Sequence, residues 1–91
     1  MTHAIVLIQA ERSALADLGG QLAEMSGVAE AYSITGEWDF AAILRLREHD
    51  DLAHVITEQL NQLPGITKTQ TLVAFEVYSR HDLDALFSLG E

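Results

Sequence analysis

Apolar residues recur along the chain with helical spacing in two places. Steps of three and four residues connect Leu15, Leu18, Leu22 and Met25 in the first stretch, and Leu52, Val55, Ile56, Leu60 and Leu63 in the second. Each stretch is followed by a glycine, Gly27 or Gly65, that can take the left-handed conformation which ends a helix. The pattern therefore predicts two amphipathic helices.

The starts and interiors of these helices carry further signals. Ser13 and Asp50 stand where a side chain can cap the first turn, so we predict them as the two N-caps. Gly19 and Gly20 lie inside the first helix and cost about 1 kcal/mol each relative to alanine. We expect either a bend there or the close approach of a neighbouring backbone.

Four other stretches are rich in β-branched and aromatic residues and read as strands. They are His3–Ala10, Val28–Thr35, Asp39–Arg47 and Ile66–Tyr78. The order β-α-β-β-α-β, with right-handed crossovers, gives a four-stranded antiparallel sheet with two helices on one face. This is an α+β, ferredoxin-like sandwich, and 91 residues make a single domain, 1–91. The tail Asp82–Phe87 is predicted to form a last helix or to pack over an edge.

The predicted sheet is apolar on both faces, although the helices cover only one. The run Ala4-Ile5-Val6-Leu7-Ile8 has no polar side, and along the third strand Phe40, Ala42, Leu44 and Leu46 take one side while Ala41, Ile43, Arg45 and Arg47 take the other. An apolar face of this kind favours self-association, most simply a two-fold homodimer with facing sheets. The alternative is that the C-terminal tail folds back over the face.

Composition excludes several function classes. The chain has 5 Lys and Arg against 14 Asp and Glu, a formal charge of −9, and its cations are scattered. Direct nucleic-acid binding therefore lacks its usual basic patch. Without a signal peptide or an apolar run that could span a bilayer, we expect a cytoplasmic protein with no membrane contact.

Little in the sequence indicates a metal, a cofactor or a catalytic centre. There is no cysteine, and the four histidines, His3, His49, His54 and His81, do not form a ligand motif. His49 and His54 lie about 140° apart around a helix. We expect no metal, no cofactor and no enzymatic activity.

The most distinctive residues lie between the second and third strands, in the segment Ile34-Thr35-Gly36-Glu37-Trp38-Asp39-Phe40. It holds the only tryptophan of the chain beside a glycine and two carboxylates. With the helix-ending glycines and the spaced threonines after Gly65, this segment resembles the ligand-binding (RAM) domain of the Lrp/AsnC transcription regulators. The resemblance covers the chain from about His3 to Tyr78.

The resemblance implies a fold of the dimeric α/β-barrel type and a regulatory role. Members of that family dimerise through their sheets, assemble into higher-order homo-oligomers and bind small effectors, usually amino acids, in clefts between dimers. Their helix-turn-helix domain precedes the sensor domain, which in this sequence starts near residue 3. We therefore expect a stand-alone member that senses an amino-acid-like effector and acts through oligomer assembly or through full-length Lrp/AsnC-type regulators.

The chemistry of the turn is compatible with such a ligand. Glu37 and Asp39 offer acceptors for an ammonium group, backbone N–H groups near Gly36 offer donors for a carboxylate, and Trp38 offers an apolar face. The predicted ligand-binding residues are Thr35, Gly36, Glu37, Trp38, Asp39, Thr69 and Thr71.

Two other interpretations remain open from the residues. Asp39 can simply stabilise the turn, and Trp38 can be a packing anchor between subunits, which makes a purely structural oligomerisation module. The paired carboxylates also allow a small ferredoxin-like enzyme of the monooxygenase type.

Overall fold

Four strands and two helical segments follow one another in the predicted β-α-β-β-α-β order. Strands and helices have the bounds β1 Thr2–Ala10, α1 Leu15–Glu24, β2 Val28–Ser33, β3 Phe40–Leu46, α2 Asp50–His54 and β4 Ile66–Val73. The structure is a computed structural model that describes residues 1–78. The predicted tail element Asp82–Phe87 lies outside the described residues.

The strands form one antiparallel sheet in the order β2-β3-β1-β4. Strand β1 is central and pairs with β3 on one side, Ile5 opposite Ile43, and with β4 on the other, Ile5 opposite Leu72. The ferredoxin-like sandwich predicted from the sequence is confirmed. Within residues 1–78, no helix has both the length and the apolar character needed to cross a membrane.

One face of the sheet forms the core. Along β1, Ala4, Val6 and Ile8 are at most 1% exposed, while the residues between them face the opposite side. Side chains from both helical segments pack on this face. The buried set is Ala4, Val6, Ile8, Leu18, Leu22, Phe40, Ala42, Leu44, Leu46, Leu52, Val55 and Leu60. Strand alternation and helical spacing therefore meet in one contiguous core.

The second helical segment changes its hydrogen-bonding pattern along its length. It begins as α2, continues as a π-helix over Val55–Gln59 and ends in a 3₁₀ turn over Leu60–Gln62. Val55 and Leu60 are five positions apart and both buried. A π-helix bonds residues five apart, so it brings these two side chains toward the same face.

Both predicted N-caps are wrong. Ser13 lies inside a 3₁₀ turn, Arg12–Ala14. Helix α1 begins at Leu15, and Ala14 occupies its N-cap position. At the second helix, His49 occupies the cap position, and neither helix has a side-chain cap bond. The carboxylate of Asp51 instead accepts a hydrogen bond from the Glu48 N–H at 3.2 Å.

The two helix-ending glycines adopt the conformation predicted for them, with φ of +91° at Gly27 and +89° at Gly65. A Cβ added at Gly65 would lie 2.3 Å from the Cβ of Ala14. Gly19 also permits a close approach, but its neighbour is a side chain, since an added Cβ would meet the Phe40 ring at 3.3 Å. The expected neighbouring backbone is therefore replaced by an aromatic ring.

Strand β4 is shorter than predicted and ends at Val73, not at Tyr78. The Ala74 N–H still donates to the His3 carbonyl at 2.9 Å, and the chain then bends at Phe75. The reason is the length of the neighbouring strand, because β1 begins at Thr2 and offers almost no further partner for β4.

The sheet face opposite the helices, here called the open face, carries a band of apolar side chains. Ile43, Ile5 and Leu72 lie side by side across three strands, and Ile5 and Leu72 are 37% and 42% exposed. The second apolar face predicted from the sequence is therefore present in the described chain.

We expect Gly65→Ala to destabilise the fold by at least about 2 kcal/mol, because a positive φ and a steric overlap act together. The matched control is Gly20→Ala, since nothing lies within 4 Å of a Cβ added at that helical position. That control should stabilise the helix by about 0.5–1 kcal/mol. Urea unfolding at one fixed protein concentration measures both, and equal midpoints for Gly65→Ala and wild type would contradict the expectation.

Candidate functional site

A tight turn joins β2 to β3 at one end of the sheet. The Ile34 N–H donates to the Asp39 carbonyl at 3.0 Å and closes the turn. Gly36 has a φ of +100°, which a side chain would strain, and a Cβ added there would meet nothing within 4 Å. The glycine is therefore required by the backbone conformation and not by a crowded neighbour.

Asp39 fastens this turn to the central strand. Its N–H donates to the Ile8 carbonyl at 2.8 Å, and its Oδ2 accepts the Ala10 N–H at 2.9 Å. The Asp39 carboxylate thus accepts the hydrogen bond that a backbone carbonyl of a neighbouring strand would otherwise accept. At the same point, the pairing of β1 with β4 shifts register between Gln9 and Ala10. Asp39 therefore has a structural role, but its side chain holds β1 and does not cap its own turn; the contact occupies one of its two carboxylate oxygens.

Glu37 presents its carboxylate to solvent. The backbone of Glu37 is held, because the Gln9 Nε2 donates to its carbonyl at 2.7 Å, but the side chain is exposed. An exposed carboxylate on a fixed backbone is available to accept hydrogen bonds from an ammonium group.

Trp38 is half-buried and already has a cationic partner. The Lys68 Nζ lies 5.4 Å from the centroid of the Trp38 ring, within the range of a cation–π contact. Lys68 belongs to β4 and pairs with Gln9 of β1. The sheet therefore brings a positive charge to a turn that is acidic in sequence.

Gln9 and Lys68 were not among the residues predicted for the site. Lys68 is the only lysine of the chain, which is a weak signal by itself. Its position beside the turn depends on the register between β1 and β4, including the irregularity near Ala10. Alternation within one strand does not reveal that register.

The three predicted threonines do not form a common wall. Thr35 is exposed on the turn, and Thr69 shares the row of Ile8 and Phe40 on the helix side of the sheet. Thr71 lines a different cavity of about 620 Å³ between the second helix and β4, together with His49, Leu52 and Ile56. The structure gathers Gly36, Glu37, Trp38 and Asp39 with Thr35, and it separates Thr71 from them.

The turn has the donors and acceptors that a small zwitterion requires. Glu37 offers an exposed carboxylate. Lys68 offers an ammonium group over the Trp38 ring, and the ring offers an apolar surface. Among residues 1–78, no group of three or more His, Cys, Asp or Glu side chains has the arrangement of a metal site.

Comparison with known proteins identifies the family of the domain that carries this turn. The sequence model of the Lrp/AsnC ligand binding domain matches residues 3–83. The chain belongs to this family. An uncharacterised helix-turn-helix-type transcriptional regulator of Pyrococcus furiosus is 29% identical over 59 residues, a match that covers 65% of this chain and 39% of the regulator. The chain thus matches well under half the length of that relative.

Solved structures of similar proteins have the same fold as this chain. A crystal structure of a protein from Thermus thermophilus superposes with a TM-score of 0.82 at 40% identity, covering 88% of this chain and 100% of that one. AsnC of E. coli has the same fold, with a TM-score of 0.78 at 22% identity over 86% of this chain and 53% of its own.

A third neighbour was solved with an amino acid. This transcriptional regulator from Neisseria meningitidis, in complex with L-Met, has a TM-score of 0.77 at 15% identity, over 87% of this chain and 53% of the regulator. At this identity the comparison establishes the shared Lrp/AsnC fold.

Replacing Asp39 by alanine should expose the role of its carboxylate in the fold. The half-buried Ala10 N–H loses its acceptor, so we expect a loss of about 1–3 kcal/mol in the free energy of unfolding. Asp39→Asn keeps an acceptor oxygen and should cost clearly less. Amide hydrogen exchange at Ala10 together with urea unfolding measures the effect, and unchanged Ala10 protection in Asp39→Ala would show that the carboxylate does not hold this strand.

Proposed function

We propose that this protein is a small-molecule sensor that binds an amino-acid-like effector at the β2–β3 turn and transmits binding through oligomer assembly. One observation carries the proposal: the turn carries an exposed carboxylate, Glu37, directly before Trp38 in the chain, and the Lys68 ammonium group lies over the Trp38 ring. The ammonium group of the effector binds Glu37, and its carboxylate binds Lys68. Charge-assisted hydrogen bonds of this kind are about twice as strong as neutral ones.

The fastening of the turn supports the proposal. Asp39 and Gln9 hold the backbone of the turn through hydrogen bonds of 2.9 and 2.7 Å to the end of β1. A site on a rigid element loses less entropy when a ligand binds. The L-Met complex of the Neisseria regulator, which shares the fold, supports an amino acid as the class of effector.

The proposal includes a dimer in which two copies meet through their open faces. The apolar row of Ile43, Ile5 and Leu72 gives this face the character of an interface core. In a dimer or a larger assembly, the turns of neighbouring copies can border a shared cleft that excludes more water than one exposed turn. Binding then stabilises the assembled state over the separate copies.

The proposed activity is binding, not catalysis. In the part of the chain that the structure describes, the fully buried residues between the sheet and the helices are all apolar. The output would pass to full-length Lrp/AsnC-type regulators through mixed assemblies. The helix-turn-helix-type relative from Pyrococcus furiosus makes a partner of that class reasonable.

Titration of the wild-type protein with the twenty amino acids by calorimetry tests the sensing proposal. We expect at least one to bind, and Glu37→Gln to weaken that binding at least about 10-fold, since a hydrogen bond to a charged group contributes about 1.5–3 kcal/mol. Glu24→Gln is the matched control, because Glu24 is an exposed carboxylate on α1. If no amino acid binds, the proposal fails for this class of effector.

Light scattering at several protein concentrations tests the dimer. Ile5→Lys places a charge at the centre of the open face and should give a monomer. Leu15→Lys is matched to it in exposure, 38% against 37% for Ile5, but lies on α1 and should leave association unchanged. A wild-type monomer at all concentrations would refute the sheet-to-sheet dimer.

A further inference from the structure

The exposed large apolar residues are concentrated near the end of the described chain. Five of the nine lie between residues 72 and 78, a segment here called the C-terminal arm, and they are Leu72, Val73, Phe75, Val77 and Tyr78. The side chain of Phe75 is fully exposed, at 105% of its reference area. Burying one such ring would contribute about 1.5–3 kcal/mol. The arm is therefore suited to binding an apolar surface.

A cavity of about 250 Å³ lies where the arm meets the open face. It is lined on the sheet side by His3, Ala4, Ile5, Ile43 and Arg45, and on the other side by Ala74, Glu76 and Val77 of the same chain's arm. For comparison, an apolar cavity of about 150 Å³ is enough to hold benzene. The cavity can therefore hold one phenyl ring between aliphatic side chains.

The distribution of charge favours a second copy of the chain as the partner that fills this cavity. The chain has a formal charge of −9, so two copies repel each other through most of their surfaces. The four strands form an exception, because they carry two cations, Arg45 and Lys68, against one carboxylate, Glu30. All three side chains lie on the open face. A second copy of this acidic chain therefore meets less repulsion there than elsewhere, although Glu76 of the arm borders the same face.

We propose that the C-terminal arm of one copy docks on the open face of a second copy, with Phe75 in the cavity lined by Ile5 and Ile43. The proposal rests on the sheet-to-sheet dimer of the proposed function and names the side chain that anchors it. Two-fold symmetry makes the contact twice, since each arm enters the cavity of the other copy. The Arg45 guanidinium in the lining then offers a cation–π contact to the inserted ring.

The lining of the cavity also carries charge. Glu76 lines it together with Arg45 and His3 of the same chain, so an inserted ring meets both a cation and a carboxylate at the entrance. Among residues 1–78, Arg45 makes one weak ion pair, 3.9 Å from Glu30, and the two side chains are about half exposed. The Tyr32 hydroxyl donates to Glu30 as well, and this hydrogen bond raises the pKa of Tyr32. Glu30 is thus shared between Tyr32 and Arg45, and the half-exposed Arg45 side chain also lines the cavity.

Sedimentation equilibrium of Phe75→Ala tests the anchor. We expect the dissociation constant of the dimer to rise at least about 30-fold, as for truncation of a buried aromatic anchor. The urea midpoint measured under monomeric conditions should stay unchanged, because the Phe75 side chain is fully exposed in its own chain. Leu15→Ala, at an exposed apolar position on α1, is the matched control and should leave the dissociation constant unchanged.

Cross-linking tests the position of the ring. The chain has no cysteine, so a tagged Phe75→Cys variant mixed with an untagged Ile43→Cys variant can form only disulfides between the introduced residues. We expect a mixed Phe75→Cys to Ile43→Cys disulfide in the dimer, and none when Ile43→Cys is replaced by Leu15→Cys.

The outcomes separate the arm proposal from the function it rests on. A dimer with neither the loss of affinity nor the mixed disulfide would overturn the arm proposal and leave the sheet-to-sheet dimer standing. A monomer at all concentrations would overturn both and favour the tail of the same chain as the cover of the open face. Amino-acid binding is measured separately by calorimetry, so its failure does not affect the result for the arm.

Discussion

The structure depends on an unequal coverage of its sheet. Four strands present two faces, and two helical segments can pack on only one of them, where Val6, Ile8 and Leu44 are at most 1% exposed. The opposite face keeps Ile5 and Leu72 more than one third exposed. A domain of about 90 residues buries a smaller fraction of its surface than a larger one and gains from association. The dimer proposed above would bury this second face of the sheet.

The β2–β3 turn obtains its geometry from the same sheet. Asp39 continues the hydrogen bonding of β3 toward Ile8 and Ala10 after the regular ladder ends. The position of Glu37 is therefore set by the central strand and not by the turn alone. A ligand that binds both Glu37 and Lys68 would connect β4 to this turn. Ligand binding would then act directly on the position of β4 in the sheet.

Much of the fold could be predicted from the sequence, because its determinants are local. The alternation along β3 and the helical spacing of Leu18 and Leu22 identify the buried face directly. Gly27 and Gly65 mark the helix ends, since only a residue without Cβ adopts a positive φ at low cost. The caps could not be read in this way. Ser13 has the chemistry of a cap, but a 3₁₀ turn moves the start of α1 past it.

The candidate site was predicted only in part, because its contacts are not local. The turn from Gly36 to Asp39 is visible in the sequence as an unusual combination of residue types. The neighbour Lys68 is not, since it is 30 positions from Trp38 and arrives through the pairing of β4 with β1. Thr71 was expected at the turn for its residue type, yet the register of β4 places it at a cavity beside the second helix.

The separation of charge between strands and helices explains how an acidic chain can associate with itself. Only one of its 14 carboxylates, Glu30, lies within the four strands, so in the described residues the others belong to helices, turns and the arm. Facing sheets pack about 10 Å apart, and each helix layer lies on the far side of its own sheet. The acidic helix surfaces of two copies are then separated by more than the Debye length of about 8 Å at physiological ionic strength. The proposed dimer through the open face would therefore bury the apolar band while most of the like charges remain screened from one another, whereas helix-to-helix contact would bring them together.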